Sequence, residues 1–411
     1  MKVLLIGSGG RENAMAESIL KSKKLEKLFV LPGNFGTSKI STSVDIDIND
    51  NDKIIKFVKE NSIDLTIVGP EAPIMNGIAN DFNREGLKIF APLKESGNIE
   101  GSKVFAKQLM KKYYIPSASY EEFDNSSLAC EYVYKKNSIP TVIKYDGLAS
   151  GKGVYISTTL EDAKYTLQKL LDDKILGEGK VIVEDFLEGE EFTLMAFVKG
   201  EKVYTMPIAR DFKRIYNEDK GDNTGGMGCI CPYDKISQKE IDDATEILKS
   251  TAKAMVKEGV SYTGILYGGF IATKDGVKVI EFNARFGDPE TEVVLQKIKD
   301  SVLDIILDLL DDKEVNITLN DGVYTGVVVC AKGYPSAYVK NVKMDSFLNT
   351  GLTTYHMSTY EKDNSALSSG GRVLCVTNND ITSKASFEKI YSVLSDIKNE
   401  DIHYRTDLGN Y

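Results

Sequence analysis

Short apolar runs alternate with amphipathic stretches through the first hundred residues, and this alternation predicts a parallel sheet covered by helices. The expected strands cover residues 2–7, 28–31 and 65–68, and the expected helices cover residues 11–22 and 52–60. A loop rich in small residues follows each strand, beginning near Gly7, Pro32 and Gly69. Because ligands of doubly wound sheets bind beyond the carboxyl ends of the strands, these loops predict a binding site at one sheet edge.

Beyond residue 100 the pattern becomes mixed, with strand-like and helical spacing side by side. Strands are expected over residues 141–144, 181–184, 192–198, 202–207, 269–273, 277–282, 324–331 and 372–377. Helices are expected over residues 103–112, 161–171, 238–259 and 291–310, with a final helix near residues 387–394. A polar stretch at 313–321 suits a linker. We therefore expect three domains: an N-terminal doubly wound parallel-sheet domain (1–100), a central α/β domain (101–322) and a small C-terminal α+β domain (323–411).

Composition narrows the class of protein. The chain has 411 residues and a net charge of −10, without the basic balance of a nucleic-acid binder. No apolar run reaches the 18 or so residues that cross a bilayer, so no membrane partner is expected. The five cysteines are scattered and include no C-x-x-C pair, which predicts neither disulfides nor a zinc site. We expect a cytoplasmic protein.

Two oxygen-bearing side chains alternate with apolar residues at the end of one predicted strand. Glu281 and Asn283 are separated by Phe282, so both point to the same face of a strand. Two hard oxygen ligands suit Mg²⁺, which fills its shell with water and phosphate oxygens. Arg285 follows and can place a forked cation near phosphate. The competing interpretation is a solvated strand end and turn.

Two glycine-rich loops resemble nucleotide-binding motifs. The loop after Gly7 has Glu12 where a dinucleotide fingerprint needs glycine, so it predicts at most a phosphate site beside Arg11, with a bare turn as alternative. The loop from Gly147 to Gly153 is one residue too short for a P-loop. It could still fold over a triphosphate or be only a surface turn. Lys144 and Lys152 would neutralise the phosphate charge.

The order of a glycine-rich loop, a lysine-bearing strand, a Glu-x-Phe-Leu hinge and a Glu-x-Asn strand resembles the ATP-grasp fold. More narrowly, the chain resembles the glycinamide ribonucleotide synthetase family of purine synthesis. The supporting motifs are Gly9-Gly10-Arg11-Glu12, Pro32-Gly33-Asn34-x-Gly36 and residues 68–73, 100–103, 146–154, 223–228, 285–290, 333–335 and 370–374. The resemblance implies that ATP phosphorylates glycine and that 5-phosphoribosylamine captures the glycyl phosphate. It also implies that residues 101–322 form an ATP-grasp domain with a mobile lid subdomain at about 117–192.

The resemblance also assigns roles to individual residues. The implied ATP-binding residues are Lys103, Lys144, Gly151, Lys152, Gly153, Glu184, Phe186, Leu187 and Glu190. Mg²⁺ or Mn²⁺ would bind Glu281 and Asn283. The residues implied in catalysis are Arg285, Asp211 and Lys213, and those implied in binding phosphoribosylamine or the reacting groups are Gly10, Arg11, Glu71 and Asp288. We expect a monomer, open to transient contact with neighbouring purine-pathway enzymes.

Two residues depart from the family pattern. Asn13 and Phe212 stand where the family usually has histidine; neither histidine binds the metal, so the implied chemistry does not require them. Ala284 stands where cysteine is frequent, a change expected to be neutral. Two alternatives remain open: a carboxylase of the biotin or aminoimidazole type, or a non-catalytic nucleotide-binding regulator on the same scaffold. The regulator is disfavoured because Glu281, Asn283 and Lys144 are all present.

Overall fold

The computed structural model describes residues 1–147 and 153–410. Its N-terminal sheet has five parallel strands in the spatial order Thr42–Ser43, Lys27–Pro32, Lys2–Gly7, Leu65–Val68 and Ile89–Phe90. The chain winds outward in both directions from Lys2–Gly7. The loops after Lys2–Gly7 and Leu65–Val68 therefore flank the switch point of the sheet, where doubly wound folds bind ligands.

Two antiparallel sheets of four strands form the middle of the molecule. The inner central sheet has the order Lys202–Thr205, Glu190–Lys199, Thr263–Thr273 and Gly276–Asn283. The outer central sheet has the order Tyr120–Phe123, Val181–Asp185, Thr141–Tyr145 and Val154–Ser157. The helices Ser126–Lys136 and Leu160–Leu171 pack together beside the outer sheet.

The C-terminal sheet contains strands from both sides of residue 322. Its order is Arg210–Asp211, Gly228–Cys231, Val323–Ala331, Arg372–Asp380 and Thr353–His356, with Ile402–His403 also paired to Val323–Ala331. Two small hairpins are Arg214–Tyr216 with Lys220–Asn223, and Thr359–Lys362 with Ser365–Ser368. The helix Ser383–Leu394 packs on this sheet. The boundary at residue 322 stays a prediction.

The remaining helices cover the sheets. They are Gly10–Ile19, Phe35–Ser38, Asn51–Asn61, Glu71–Met75, Ile78–Arg84, Lys94–Gly101, Lys103–Lys112, Gln238–Lys257, Glu290–Lys297 and Val302–Leu310, with a 3₁₀ turn at Asp345–Phe347. No helix in the described ranges is long and apolar enough to span a bilayer.

The single helix expected over residues 291–310 is wrong, because the structure has two helices there. Ile298 adopts an extended conformation, with φ −81° and ψ 125°, and forms a β-bridge with Leu319. Ser301 then caps the second helix by accepting a hydrogen bond from the Leu303 amide. The apolar spacing resembled that of one helix because Val294, Ile298 and Val302 are all buried, although they do not share one helix.

One apolar core runs from the central region into the C-terminal sheet. It includes Leu248 and Phe270 from the centre together with Val329 and Phe387 from the C-terminal segment. Cys229 and Cys231, in the strand shared between the two regions, are both fully buried. The inner central sheet and the C-terminal sheet are thus anchored in common packing, whereas the outer central sheet has an apolar cluster of its own.

Candidate active site

A cleft of about 470 Å³ lies between the two central sheets and reaches the N-terminal sheet. The predicted site residues that line it are Lys103, Lys144, Gly153, Glu184, Phe186, Leu187, Asp211, Lys213, Glu281, Asn283, Arg285, Asp288 and Glu71. Gly151 and Lys152 lie outside the described residues. Gly10, Arg11 and Glu190 do not line the cleft. The structure thus brings together residues that are far apart in the sequence.

Apolar side chains form a slot within the cleft. It is lined by Ile99, Ala106, Met110, Val142, Ile156, Phe186, Leu187, Ile271 and Phe282. These side chains come from both central sheets, from the helices Lys94–Gly101 and Lys103–Lys112, and from the loop that follows the strand Val181–Asp185. A flat aromatic base would remove apolar surface from water here on both of its faces.

A buried carboxylate between two lysines closes this slot. Glu184 lies 3.0 Å from the Lys144 ammonium and 3.3 Å from that of Lys107. All three side chains are at most 5% exposed. Burial lowers the pKa of Lys107 to about 8, against the attraction of Glu184. Lys107 was not among the expected site residues, although it lies four residues after Lys103 and therefore on the same helix face.

The start of the glycine-rich loop is tied to the N-terminus of the helix Lys103–Lys112. Asp146 accepts hydrogen bonds from the Ser102 hydroxyl and the Val104 amide, both at 3.1 Å. The Lys103 ammonium donates to the Gly147 carbonyl at 3.1 Å. Burial lowers the pKa of Lys103. The predicted phosphate-binding lysine thus already reaches the loop.

Glu281 and Asn283 project into the cleft from one face of the strand Gly276–Asn283. Burial would raise the pKa of Glu281, but Lys213 (ammonium at 3.9 Å), Lys144 and other cations hold it below its ordinary value. No group of three or more His, Cys, Asp or Glu side chains suited to a metal occurs among residues 1–147 and 153–410. One carboxylate and one amide still fit a cation that completes its shell with phosphate and water oxygens.

Arg285 links the cleft to the N-terminal sheet. Its guanidinium lies 3.0 Å from a carboxylate oxygen of Glu100 and 3.4 Å from one of Glu71. Glu71 follows the strand Leu65–Val68 at the switch point and also lies 3.8 Å from Arg11. Glu100 was not among the expected site residues. Because these partners are acidic, they keep Arg285 cationic and fix its position.

Asp211 and Glu290 form an acidic pocket beside these cations. Glu290 accepts hydrogen bonds from the Tyr267 hydroxyl at 2.8 Å and the Thr193 hydroxyl at 3.1 Å. One Asp211 oxygen is buried without a hydrogen-bond partner in the described structure. Burial, followed by the charge of Glu290, raises the pKa of Asp211 well above its usual value. An unpaired buried carboxyl of this kind would gain from a cationic ligand.

Glu190, which was expected to bind the nucleoside, lies away from the cleft. It is ion-paired with Arg210 and accepts a hydrogen bond from the Tyr233 hydroxyl, and it does not line the cleft. Its neighbour Glu191 lines the cleft instead, because consecutive strand residues point to opposite faces. Glu191 also raises the pKa of Lys213 through its charge. Glu191 is therefore the member of this pair that faces the cleft.

The N-terminal glycine loop is filled by the protein's own carboxylates. The Gly9 amide donates to Glu12 at 2.5 Å, and the Arg11 amide donates to Asp288 at 3.3 Å. A side chain at Gly10 would collide with the buried Glu292. The expected phosphate position at Gly10 and Arg11 is thus occupied, although Arg11 still approaches the cleft through Glu71.

The two departures from the family pattern lie in packed regions. Asn13 is buried, and its side-chain oxygen accepts a hydrogen bond from the His356 amide at 2.8 Å, which joins the N-terminal and C-terminal regions. Phe212 is also buried and packs edge-on to Phe387, with the Arg405 guanidinium 5.7 Å from its ring. Asn13 therefore supports the site through packing, whereas Phe212 also lines the cleft itself.

The paired antiparallel sheets, the lysine-lined cleft between them and the Glu-x-Asn strand define an ATP-grasp enzyme. Models of phosphoribosylglycinamide synthetase match the chain at residues 1–100 (N domain), 101–291 (ATP-grasp (A) domain) and 324–411 (C domain). The chain belongs to the phosphoribosylglycinamide synthetase family. The family and fold class expected from the sequence are confirmed.

Individual relatives agree with this assignment. The chain is 44% identical over 415 residues to the phosphoribosylamine–glycine ligase of Halalkalibacterium halodurans, covering 100% of this chain and 97% of that protein. It is 44% identical over 414 residues to the ligase of the same name from Lactococcus lactis, covering 100% and 99%. The crystal structure of phosphoribosylamine–glycine ligase from Thermotoga maritima superposes with a TM-score of 0.88 at 32% identity, covering 99% of this chain and 100% of that chain.

Proposed function

We propose that this chain joins glycine to 5-phosphoribosylamine at the expense of ATP, giving glycinamide ribonucleotide, ADP and phosphate. The observation that carries the proposal is the acidic pocket of Asp211 and Glu290 in the same cleft as Lys213 and Arg285. Such a pairing of charges suits a small zwitterion whose carboxylate must meet a phosphoryl group. Family membership supports the same activity.

The nucleotide would lie along the apolar slot. The base would pack near Phe186 and Leu187, and Glu191 would accept hydrogen bonds from the ribose hydroxyls. Lys103 and Lys144 would face the phosphates, where they would neutralise charge. The roles of Gly151, Lys152 and Gly153 remain predictions from the family resemblance.

Glu281 and Asn283 would hold a divalent cation, Mg²⁺ or Mn²⁺, with phosphate oxygens completing its shell. The bound cation would supply neutralisation of phosphate charge during phosphoryl transfer. The surrounding cations keep Glu281 ionised, which favours its use as a metal ligand. Isothermal titration calorimetry of the metal-free protein with each ion would compare the two affinities and decide between the two metals.

Glycine would bind with its ammonium between Asp211 and Glu290 and its carboxylate toward Lys213 and Arg285. A glycine carboxylate oxygen then bonds to the γ-phosphorus as the bond from that phosphorus to ADP breaks. The amine of phosphoribosylamine attacks the resulting acyl carbon, loses a proton and expels phosphate. Both steps depend on positioning and charge neutralisation rather than on a protein nucleophile. Glu71 and Asp288, with Arg11 behind them, would face phosphoribosylamine.

The test is phosphate release from Mg²⁺–ATP in the presence of glycine, with and without phosphoribosylamine made fresh from ribose 5-phosphate and ammonia. Release that requires both co-substrates supports the ligase. Release that requires bicarbonate instead would favour a carboxylase and overturn the substrate assignment. The variant Glu281→Gln provides a matched control, because it should abolish release without disturbing the acidic pocket.

We also propose that the protein acts as a monomer. Sedimentation velocity with and without ATP would test this, since a stable dimer would sediment as a distinctly heavier species at every protein concentration. Transient contacts with neighbouring purine-pathway enzymes remain a prediction.

A further inference from the structure

Arg372, at the start of the strand Arg372–Asp380, joins two segments that border the cleft. Its guanidinium lies 2.9 Å from a carboxylate oxygen of Asp288 and donates to the Asp288 carbonyl, also at 2.9 Å. The same guanidinium donates to the Gly225 carbonyl at 2.6 Å. One C-terminal side chain therefore holds the loop at Gly225 and the turn at Asp288 at a fixed separation.

These two segments enclose the acidic pocket. A side chain at Gly226 would collide with Pro289 and would lie 2.5 Å from an Asp211 oxygen, so Gly226 is packed directly against that carboxylate. Gly226 also has φ +120°, a backbone conformation that favours glycine. Any shift of this loop relative to the turn at Pro289 would therefore move or uncover the Asp211 carboxyl.

Arg372 contacts the segments around the acidic pocket without lining the cleft itself. It is not among the residues that line the cleft, and its side chain is 19% exposed. Its contacts are to carbonyls and to one carboxylate of the two neighbouring segments. These contacts leave its guanidinium directed at protein groups rather than at a substrate. Its charge also opposes the effect of burial on Asp211.

We propose that Arg372 is a positioning residue that sets the Asp211 carboxylate for the ammonium of glycine, so that the C-terminal region determines glycine affinity. This inference rests on the proposed function. It predicts a separation of effects, because the hydrogen bonds and ion pair of Arg372 reach Gly225 and Asp288 and none of the apolar residues proposed to hold the base. Loss of Arg372 should weaken glycine binding and leave ATP binding nearly intact.

The test compares Arg372→Gln and Arg372→Lys with the unmodified protein, measuring kcat and the KM for each substrate. Arg372→Gln should raise the KM for glycine about tenfold, because the Asp211 carboxylate is no longer held in position for the ammonium, while the KM for ATP stays within about twofold. Arg372→Lys should recover part of the glycine affinity, since a lysine keeps the charge but cannot span both segments. If the glutamine variant does not fold, the lysine variant alone still tests the ratio of the two KM values.

A binding measurement separates positioning from simple stabilisation. Glycine should raise the thermal midpoint of the unmodified protein in the presence of a non-hydrolysable ATP analogue and raise it less in Arg372→Gln. The control is Lys297→Gln, which removes a buried cation that donates to the Gly322 carbonyl at 2.8 Å, away from the cleft. It should lower the midpoint without changing the glycine response.

Two results would overturn the inference: equal increases in the KM values of glycine and ATP, or an unchanged glycine KM with only a lower thermal midpoint. Failure of the proposed function is distinguishable, because the unmodified protein would then show no glycine-dependent phosphate release at all.

Discussion

Replacing Lys107 with methionine should remove a pH dependence from the stability of this protein. Lys107 is buried beside Glu184, and burial lowers its pKa from 10.5 to about 8. Between those two pH values the unfolded chain holds the proton that the folded protein has released. Stability should therefore rise as pH increases from about 8 to 10.5. Below pH 8 both states carry the proton, and the folded state bears the cost of a buried cation.

The size of this effect follows from the width of the interval. At about 1.4 kcal/mol for each pH unit, the interval corresponds to about 3 kcal/mol of unfolding free energy. Methionine keeps most of the volume of the lysine stem and has no proton to release. The difference in unfolding free energy between Lys107→Met and the unmodified protein should thus change by about 3 kcal/mol from about pH 8 to pH 10.5. Groups that titrate in both proteins cancel from this difference.

The assay is urea unfolding followed by far-ultraviolet circular dichroism at several pH values from 7 to 10.5, since the chain contains no tryptophan for fluorescence. Lys111→Met, at an exposed position of the same helix, is the matched control and should keep the pH dependence of the unmodified protein. The reasoning would be refuted if the difference in unfolding free energy between Lys107→Met and the unmodified protein stayed constant with pH or changed in the opposite direction.

Three further changes test other parts of the site. Glu281→Gln should lower kcat/KM by about 100-fold or more in a Mg²⁺-dependent assay, with thermal stability retained; undiminished activity would contradict the metal assignment. Glu191→Gln should raise the KM for ATP about tenfold, whereas Glu190→Gln should lower the thermal midpoint without a selective change in that KM; the reverse pattern would restore Glu190 as the ribose ligand. Asn13→Ala should cost about 1–3 kcal/mol in urea unfolding, because it leaves the buried His356 amide unpaired, and Asn13→Ser, which keeps an acceptor, should cost less.

Local patterns in the sequence predicted local geometry. Glu281 and Asn283 lie on one face of a strand because side chains alternate with a period of two, and the structure places both in the cleft. The contact between Gly9 and Glu12 spans only three residues, and a glutamate at this distance from a helix N-cap is the carboxylate half of a capping box. It would have shown that the N-terminal loop already holds an anion.

Other features depended on contacts that no local pattern contains. Arg372 meets the Asp288 carbonyl across 84 residues of sequence, so nothing near either residue indicates the pairing. Of the adjacent residues Glu190 and Glu191, only one can face the cleft, and the register of the strand with its neighbours decides which. Tertiary packing likewise divided the helix expected over residues 291–310 at Ile298.

The strand Gly228–Cys231 gives the C-terminal sheet a further consequence. It pairs with Val323–Ala331, from the other side of the expected domain boundary, and all four of its residues are buried. A fragment that ended at residue 322 would leave this strand with an unpaired edge and uncovered apolar side chains. Such edges act as templates for pairing between molecules. Truncation there should yield insoluble aggregate rather than a separable nucleotide-binding unit, whereas supplying residues 323–411 as a second chain should restore solubility by completing the sheet.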